Sequence, residues 1–110
     1  MAELEIETND WEFIMELMGT PNGIQSGSQI KVPGGAILHF RSIIGRKAFD
    51  SSKIFEFTLS FGIGVSAGIV ANWLYEKLNG RIPKIRINRS EIHINKGEIE
   101  KIIVEEIEKQ

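Results

Sequence analysis

Residues 55–65 read FEFTLSFGIGV, and this run restricts the fold more than any other part of the chain. Phe55, Phe57, Leu59, Phe61, Ile63 and Val65 occupy one parity, while Glu56, Thr58, Ser60, Gly62 and Gly64 occupy the other. Successive side chains of a strand point to opposite faces, so this alternation predicts a strand with one buried face. Beyond Gly64 the period changes. Ala67, Val70, Ala71, Leu74 and Leu78 fall on one helical stripe, Asn72, Glu76 and Lys77 lie off it, and Gly80 suits a helix stop. The segment therefore predicts a strand over 54–62, a structural turn at Gly62 and Gly64, and a helix over 65–79. Glycine in such a turn admits positive φ or a close approach of two backbones.

Two other readings compete for the same residues. Phe57 to Tyr75 is nineteen residues without a charge, about 28 Å as a helix against an apolar bilayer core of roughly 30 Å. Gly64 and Gly68 would suit a helix dimer in a membrane, but a membrane helix has no reason to respect period 2. A glycine turn between strand and helix also suggests phosphate binding. The spacing Gly62, Gly64, Gly68 is not that of a dinucleotide site, and too little chain follows to complete one. No cofactor is expected.

The remaining elements follow from local pattern. Leu4 and Ile6 alternate with Glu3, Glu5 and Glu7, which predicts a short strand. Asn9 with Glu12 predicts a capping box for a helix over 10–18, with Trp11, Ile14, Met15 and Met18 at helical spacing and Gly19 as C-terminal cap. Pro33 and Gly34 are turn residues between strands 29–32 and 36–44. In IRINRSEIHI (85–94), a loop at Arg89–Ser90 would pair Ile87 with Ile92 and Ile85 with Ile94, all on one face. Asn95 and Glu98 predict a second capping box, and Ile99, Ile102, Ile103 and Ile107 form the apolar stripe of a last helix. The order β-α-β-β-β-α-β-β-α predicts an α+β fold with an antiparallel sheet of about six strands and three helices packed on one face. Residues 1–110 are expected to form a single domain.

Composition narrows function mainly by exclusion. The chain has no cysteine, so no disulfide or thiolate site supports it. An acidic N-terminus without a basic and apolar leader predicts a cytoplasmic protein. His39 and His93 stand apart from any ligand spacing, and the S-x-x-K match at Ser28–Lys31 lacks companion motifs, so neither metal nor catalysis is expected. Charge is segregated: residues 1–30 hold six acids and no Lys or Arg, and residues 31–96 hold eleven bases against four acids. Such blocks either neutralise each other on folding or serve a partner.

The function expected is therefore that of a small soluble, non-enzymatic protein-binding module, an adaptor, regulator or inhibitor. Its partner is another protein or a second copy in a homodimer. The predicted contact residues are Arg81, Lys84, Arg86 and Arg89 of the last hairpin together with Glu98, Glu105 and Glu108 on the acidic face of the last helix. The alternative is a nucleic-acid-binding module using Arg41, Arg46, Lys47, Arg81, Lys84, Arg86 and Arg89. A small membrane-anchored protein spanning at 57–75 is the third.

Overall fold

The structure, a computed structural model, describes residues 1–20, 23, 25–45, 53–81 and 84–109. In chain order the elements are β1 (Ala2–Thr8), α1 (Trp11–Met18), β2 (Gln29–Val32), β3 (Ala36–Gly45), β4 (Lys53–Phe61), α2 (Ala67–Leu78), β5 (Lys84–Ile87), β6 (Ser90–Ile92) and α3 (Lys96–Glu108). The strands form one open sheet in the order β2-β3-β4-β1-β5-β6, every neighbouring pair antiparallel. The α+β class and the predicted element order are both observed.

The alternation at 55–61 places β4 near the centre. Leu59, Phe57 and Phe55 face Ala2, Leu4 and Ile6 of β1, and on the other side Phe57 and Leu59 face Phe40 and Leu38 of β3. Ile85 and Ile87 of β5 extend the apolar face beside Ile6 and Leu4. These side chains join Phe13, Ile14, Leu17 and Met18 of α1, Val70, Ala71, Leu74 and Leu78 of α2, and Ile99 and Ile103 of α3 in one buried cluster. The helices thus cover one face of the sheet, and α3 packs along α2. Residues 57–75 are divided between the end of β4, a turn and α2, so they form no span. No described helix is long and apolar enough to cross a membrane.

Local details depart from the sequence pattern where another contact competes. The N-cap of α1 is Asp10, whose carboxylate accepts from the Phe13 N–H, and not Asn9. The buried stripe of that helix accordingly runs through Phe13 and Leu17, leaving Trp11 39% exposed with its ring edge-on to Phe55 and the Lys53 ammonium over it. Asn95 caps α3 as expected, accepting from the Glu98 N–H, but the Glu98 carboxylate reaches the His93 N–H instead of closing the box. The alternation of β4 ends at Phe61; Ile63, on the same parity, lies in the turn and is fully exposed.

The last hairpin turns one residue earlier than predicted. Ile85 pairs with Ile92 and Ile87 with Ser90, while Ile94 lies beyond the strand, half-buried against the core. Asn88 (φ 50°) and Arg89 (φ 70°) are both left-handed, as a two-residue primed turn requires. Asn88 is also fixed from outside: its N–H donates to the Glu3 carbonyl and its side-chain oxygen accepts from the Glu3 N–H, each at 2.9 Å. Moving a turn by one residue preserves parity, so Ile85, Ile87 and Ile92 all stay buried.

The glycines of the predicted turn have separate reasons. Gly64 has φ +76° with open space around it, so conformation alone selects glycine there. Gly62 donates to the Gly35 carbonyl at 2.9 Å, and a Cβ on Gly62 would lie 3.2 Å from that oxygen. Here the reason is close approach.

Candidate functional site

The second face of the sheet carries none of the described helices, and its residues come from the polar parity of each strand. β1 and β4 lie side by side, which sets Glu5 directly opposite Glu56 and Glu3 opposite Thr58. β3 continues both rows, with Ser42 opposite Glu56 and His39 opposite Thr58. On the far side β5 places Arg86 next to Glu5. Thr58 is 6% exposed although it belongs to the polar parity, because it lies at the bottom of a depression in this face.

β3 brings one residue more than its partner. Between the pairs Phe40–Phe57 and Ser42–Glu56 the register shifts, and Arg41 is the extra residue of a β-bulge. Strict alternation after Phe40 would bury Ser42 and expose Ile43. With the bulge, Ile43 returns to the core side opposite Phe55, while Arg41 and Ser42 both line the open face. The Ser26 hydroxyl donates to the Arg41 carbonyl at 2.7 Å, the Gly27 N–H donates to the Phe40 carbonyl at 3.0 Å and the Phe40 N–H donates to the Ser28 carbonyl at 2.8 Å, tying the loop before β2 to the bulge.

The result is an open cleft of about 830 Å³ running across the sheet from Ser26 and Arg41 to Arg89 in the β5–β6 turn. Its charges are unevenly satisfied. Glu5 has the Arg86 guanidinium at 3.8 Å, and Glu56 accepts a hydrogen bond from the Ser42 hydroxyl. Arg41 and Arg89 are exposed, and among the described residues their guanidinium groups have no ion-pair or side-chain hydrogen-bond partner. Two carboxylates with protein partners thus occupy the floor, and two arginines without them stand at its sides. The lining carboxylates Glu3, Glu5 and Glu56 outnumber those arginines.

The structure disperses most of the basic residues that the sequence groups together. Arg81 pairs with Glu16 at 2.8 Å and Asp10 at 3.7 Å, its guanidinium lying over the Phe13 ring at 5.4 Å. Arg86 is held by Glu5. In both cases a base from the middle of the chain meets an acid of the N-terminal segment, so the segregated charge is in part neutralised within the fold. Lys84 is exposed, opposite Glu7 in the register. Arg41 and Arg89, far apart in sequence, come to the same cleft; Arg46 and Lys47 lie outside the described residues.

The acidic residues of α3 are likewise separated. Glu98 sits at the start of the helix with its carboxylate 3.5 Å from His93 Nδ1, and Glu105 and Glu108 are exposed. Glu106, between them in sequence, is 7% exposed and pairs with Lys109 at 3.2 Å. Ile99 and Ile103 are buried in the chain's own core, with Ile102 and Ile107 half-buried. The sequence reading missed Glu5, Ser42, Glu56 and Thr58 as site residues. Their polar parity was visible, but only the adjacency of β1 and β4 assembles them. No protein-family model matches the chain, and no curated protein or solved structure was found to be similar to it.

Proposed function

We propose that the protein is a small non-enzymatic binding module, an adaptor, regulator or inhibitor, whose recognition surface for another protein is the uncovered face of its sheet. One observation carries this reading: the described helices occupy a single face, and the other forms a cleft in which Arg41 and Arg89 have no ion-pair partner among the described residues. An arginine whose donors lack protein partners is a ready contact for an incoming carboxylate. The same cleft contains Glu3, Glu5 and Glu56, which oppose a polyanion laid along it. With Arg81 and Arg86 engaged by carboxylates, the nucleic-acid alternative has less to draw on than the sequence suggested.

The test compares two charge-reversed proteins in affinity capture from the source cells. Arg41→Glu with Arg89→Glu changes the open face, and Glu105→Lys with Glu108→Lys changes the exposed side of α3. The reading requires the captured protein to be lost with the first pair and retained with the second. Capture that survives the first pair and fails with the second moves the interface to α3.

A further inference from the structure

Thr58 lies on the floor of the open face, 6% exposed, and lines the cleft. Its hydroxyl has no hydrogen-bond partner among the described residues. A β-branched side chain suits the middle of a strand, so valine would meet the demands of packing there. The hydroxyl is instead a polar group withdrawn from water without a protein partner, which counts against the fold. The register shows what surrounds it. Glu3 of β1 stands opposite Thr58 on one side and His39 of β3 on the other. Glu56 and Ser60 flank it along β4 on the same face. These neighbours include two carboxylates and neither arginine of the cleft.

Side chains directly opposite across a strand pair lie about 4.5–5.5 Å apart at Cβ, and diagonal ones about 7–8 Å. The carboxylates of Glu3 and Glu56 can therefore close on one atom above the Thr58 hydroxyl. The Ser42 hydroxyl donates to Oε1 of Glu56; Oε2 and the Glu3 carboxylate have no partner among the described residues. Three acceptors thus surround one point. No group of His, Asp and Glu side chains among the described residues could hold a metal ion, so the arrangement suits an organic cation. A primary ammonium carries three N–H donors on one charged nitrogen, one for each acceptor. A guanidinium, a planar fork made for a single carboxylate, matches three separate acceptors less well. We infer, on the reading of the open face as the surface for another protein, that the cleft takes a lysine side chain of the partner. Its ammonium sits over Thr58 and donates to the Thr58 hydroxyl, Glu3 and Glu56.

The probe is a peptide with blocked termini, Gly-Ser-Gly-Lys-Gly-Ser-Gly, titrated into isotope-labelled protein while amide resonances are followed. In three comparison peptides the lysine is replaced by Nε-acetyl-lysine, Nε-trimethyl-lysine or arginine. The inference requires the lysine peptide to shift amides of residues 3, 39, 56–58 and 60, and the acetylated one to leave them in place. Trimethylation keeps the charge and stem but removes every donor. Hydrogen bonds to a charged group are worth about tenfold or more each, so the trimethylated peptide should bind at least about tenfold more weakly. Thr58→Val should weaken the lysine peptide about tenfold without lowering the urea midpoint, and Thr58→Ser, which keeps the hydroxyl, should bind within about twofold of the original. Glu3→Gln with Glu56→Gln should weaken it about tenfold, exposed ion pairs being worth up to about fivefold each. Equal binding of the trimethylated or arginine peptide overturns the inference on the unaltered protein, whatever the variants do. A Thr58→Val protein that binds as before but unfolds earlier overturns it too, since the hydroxyl would then serve the fold. Absence of shifts at these residues overturns the lysine site, while loss of capture on reversing Arg41 and Arg89 would still support the open face as the binding surface.

Discussion

Replacing Gly34 and Gly64 by alanine in parallel separates backbone conformation from packing at the β4–α2 junction. Both residues have positive φ, +98° and +76°, and an L side chain in the left-handed region costs about 1–2 kcal/mol. The loss of unfolded-state freedom on Gly→Ala substitution, about 0.4–1 kcal/mol in favour of folding, is common to the two and cancels in their difference. What differs is space. A Cβ on Gly64 meets nothing within 4 Å, whereas one on Gly34 lies 3.0 Å from Ile69 Cβ, from the Ser66 carbonyl oxygen and from Val70 Cγ2. The Ser66 oxygen is backbone and Ile69 and Val70 are branched at Cβ, so none of the three can easily swing aside, and the Gly34 carbonyl also accepts from the Ser66 N–H at 2.8 Å. Overpacking of this kind costs about 1–3 kcal/mol. Gly34→Ala is therefore expected to lose about 2–5 kcal/mol and Gly64→Ala about 1–2 kcal/mol before the shared offset. With urea slopes of about 1–3 kcal/mol per molar for a domain of this size, the midpoints should differ by about 1 M, Gly34→Ala unfolding first. Equal midpoints would refute the packing argument and leave conformation as the sole reason for both glycines.

Arg89→Gly should stabilise the protein by up to about 1 kcal/mol in urea melts, because Asn-Gly suits the primed turn and relieves the φ of 70° at a non-glycine residue, and lower stability would contradict the turn assignment. A double-mutant cycle of Glu5→Gln and Glu56→Gln should yield a repulsive coupling of about 0.2–1 kcal/mol that shrinks in high salt, and an attractive or salt-independent coupling would show that the two carboxylates do not sense each other. Arg81→Ala should cost no more than about 1 kcal/mol, its two partners being exposed, with the loss reduced in high salt. Phe57→Ala, removing a ring 1% exposed at the centre of the sheet, should cost about 3–5 kcal/mol, checked by the shift in thermal midpoint.

The fold was legible wherever one face of an element meets a single kind of environment. The period-2 run of β4 and the stripe Val70, Ala71, Leu74 and Leu78 are each read by one apolar face, and both are buried as the pattern requires. The pattern misled where a third element intervenes. The hairpin after β5 turns at Asn88–Arg89 because Glu3 of β1 holds Asn88, a contact between residues 85 positions apart. Trp11 sits on the rim of the core because Asp10, not Asn9, caps α1. The basic residues looked like one patch because sequence shows charge without partners; Arg81 and Arg86 acquire theirs only when the N-terminal segment folds against them.

The cleft was illegible for a related reason. Glu3, Glu5 and Glu7 alternate with Leu4 and Ile6, and Glu56, Thr58 and Ser60 alternate with the aromatics of β4, so each strand alone reads as having an ordinary solvated face. Only the pairing of β1 with β4 makes Glu5 the direct neighbour of Glu56. A sheet with one open face needs polar residues there, but it does not need two carboxylates in opposition at its centre, and threonine or serine at either position would serve the fold without repulsion. The bulge in β3 works in the same direction. It keeps Ile43 in the core while turning Ser42 toward Glu56 and leaving Arg41 over the cleft with no carboxylate partner among the described residues. Arg86 offsets part of the charge on Glu5, and the Ser42 hydroxyl donates to Glu56, so the repulsion that remains between the two carboxylates is what the glutamine double-mutant cycle measures.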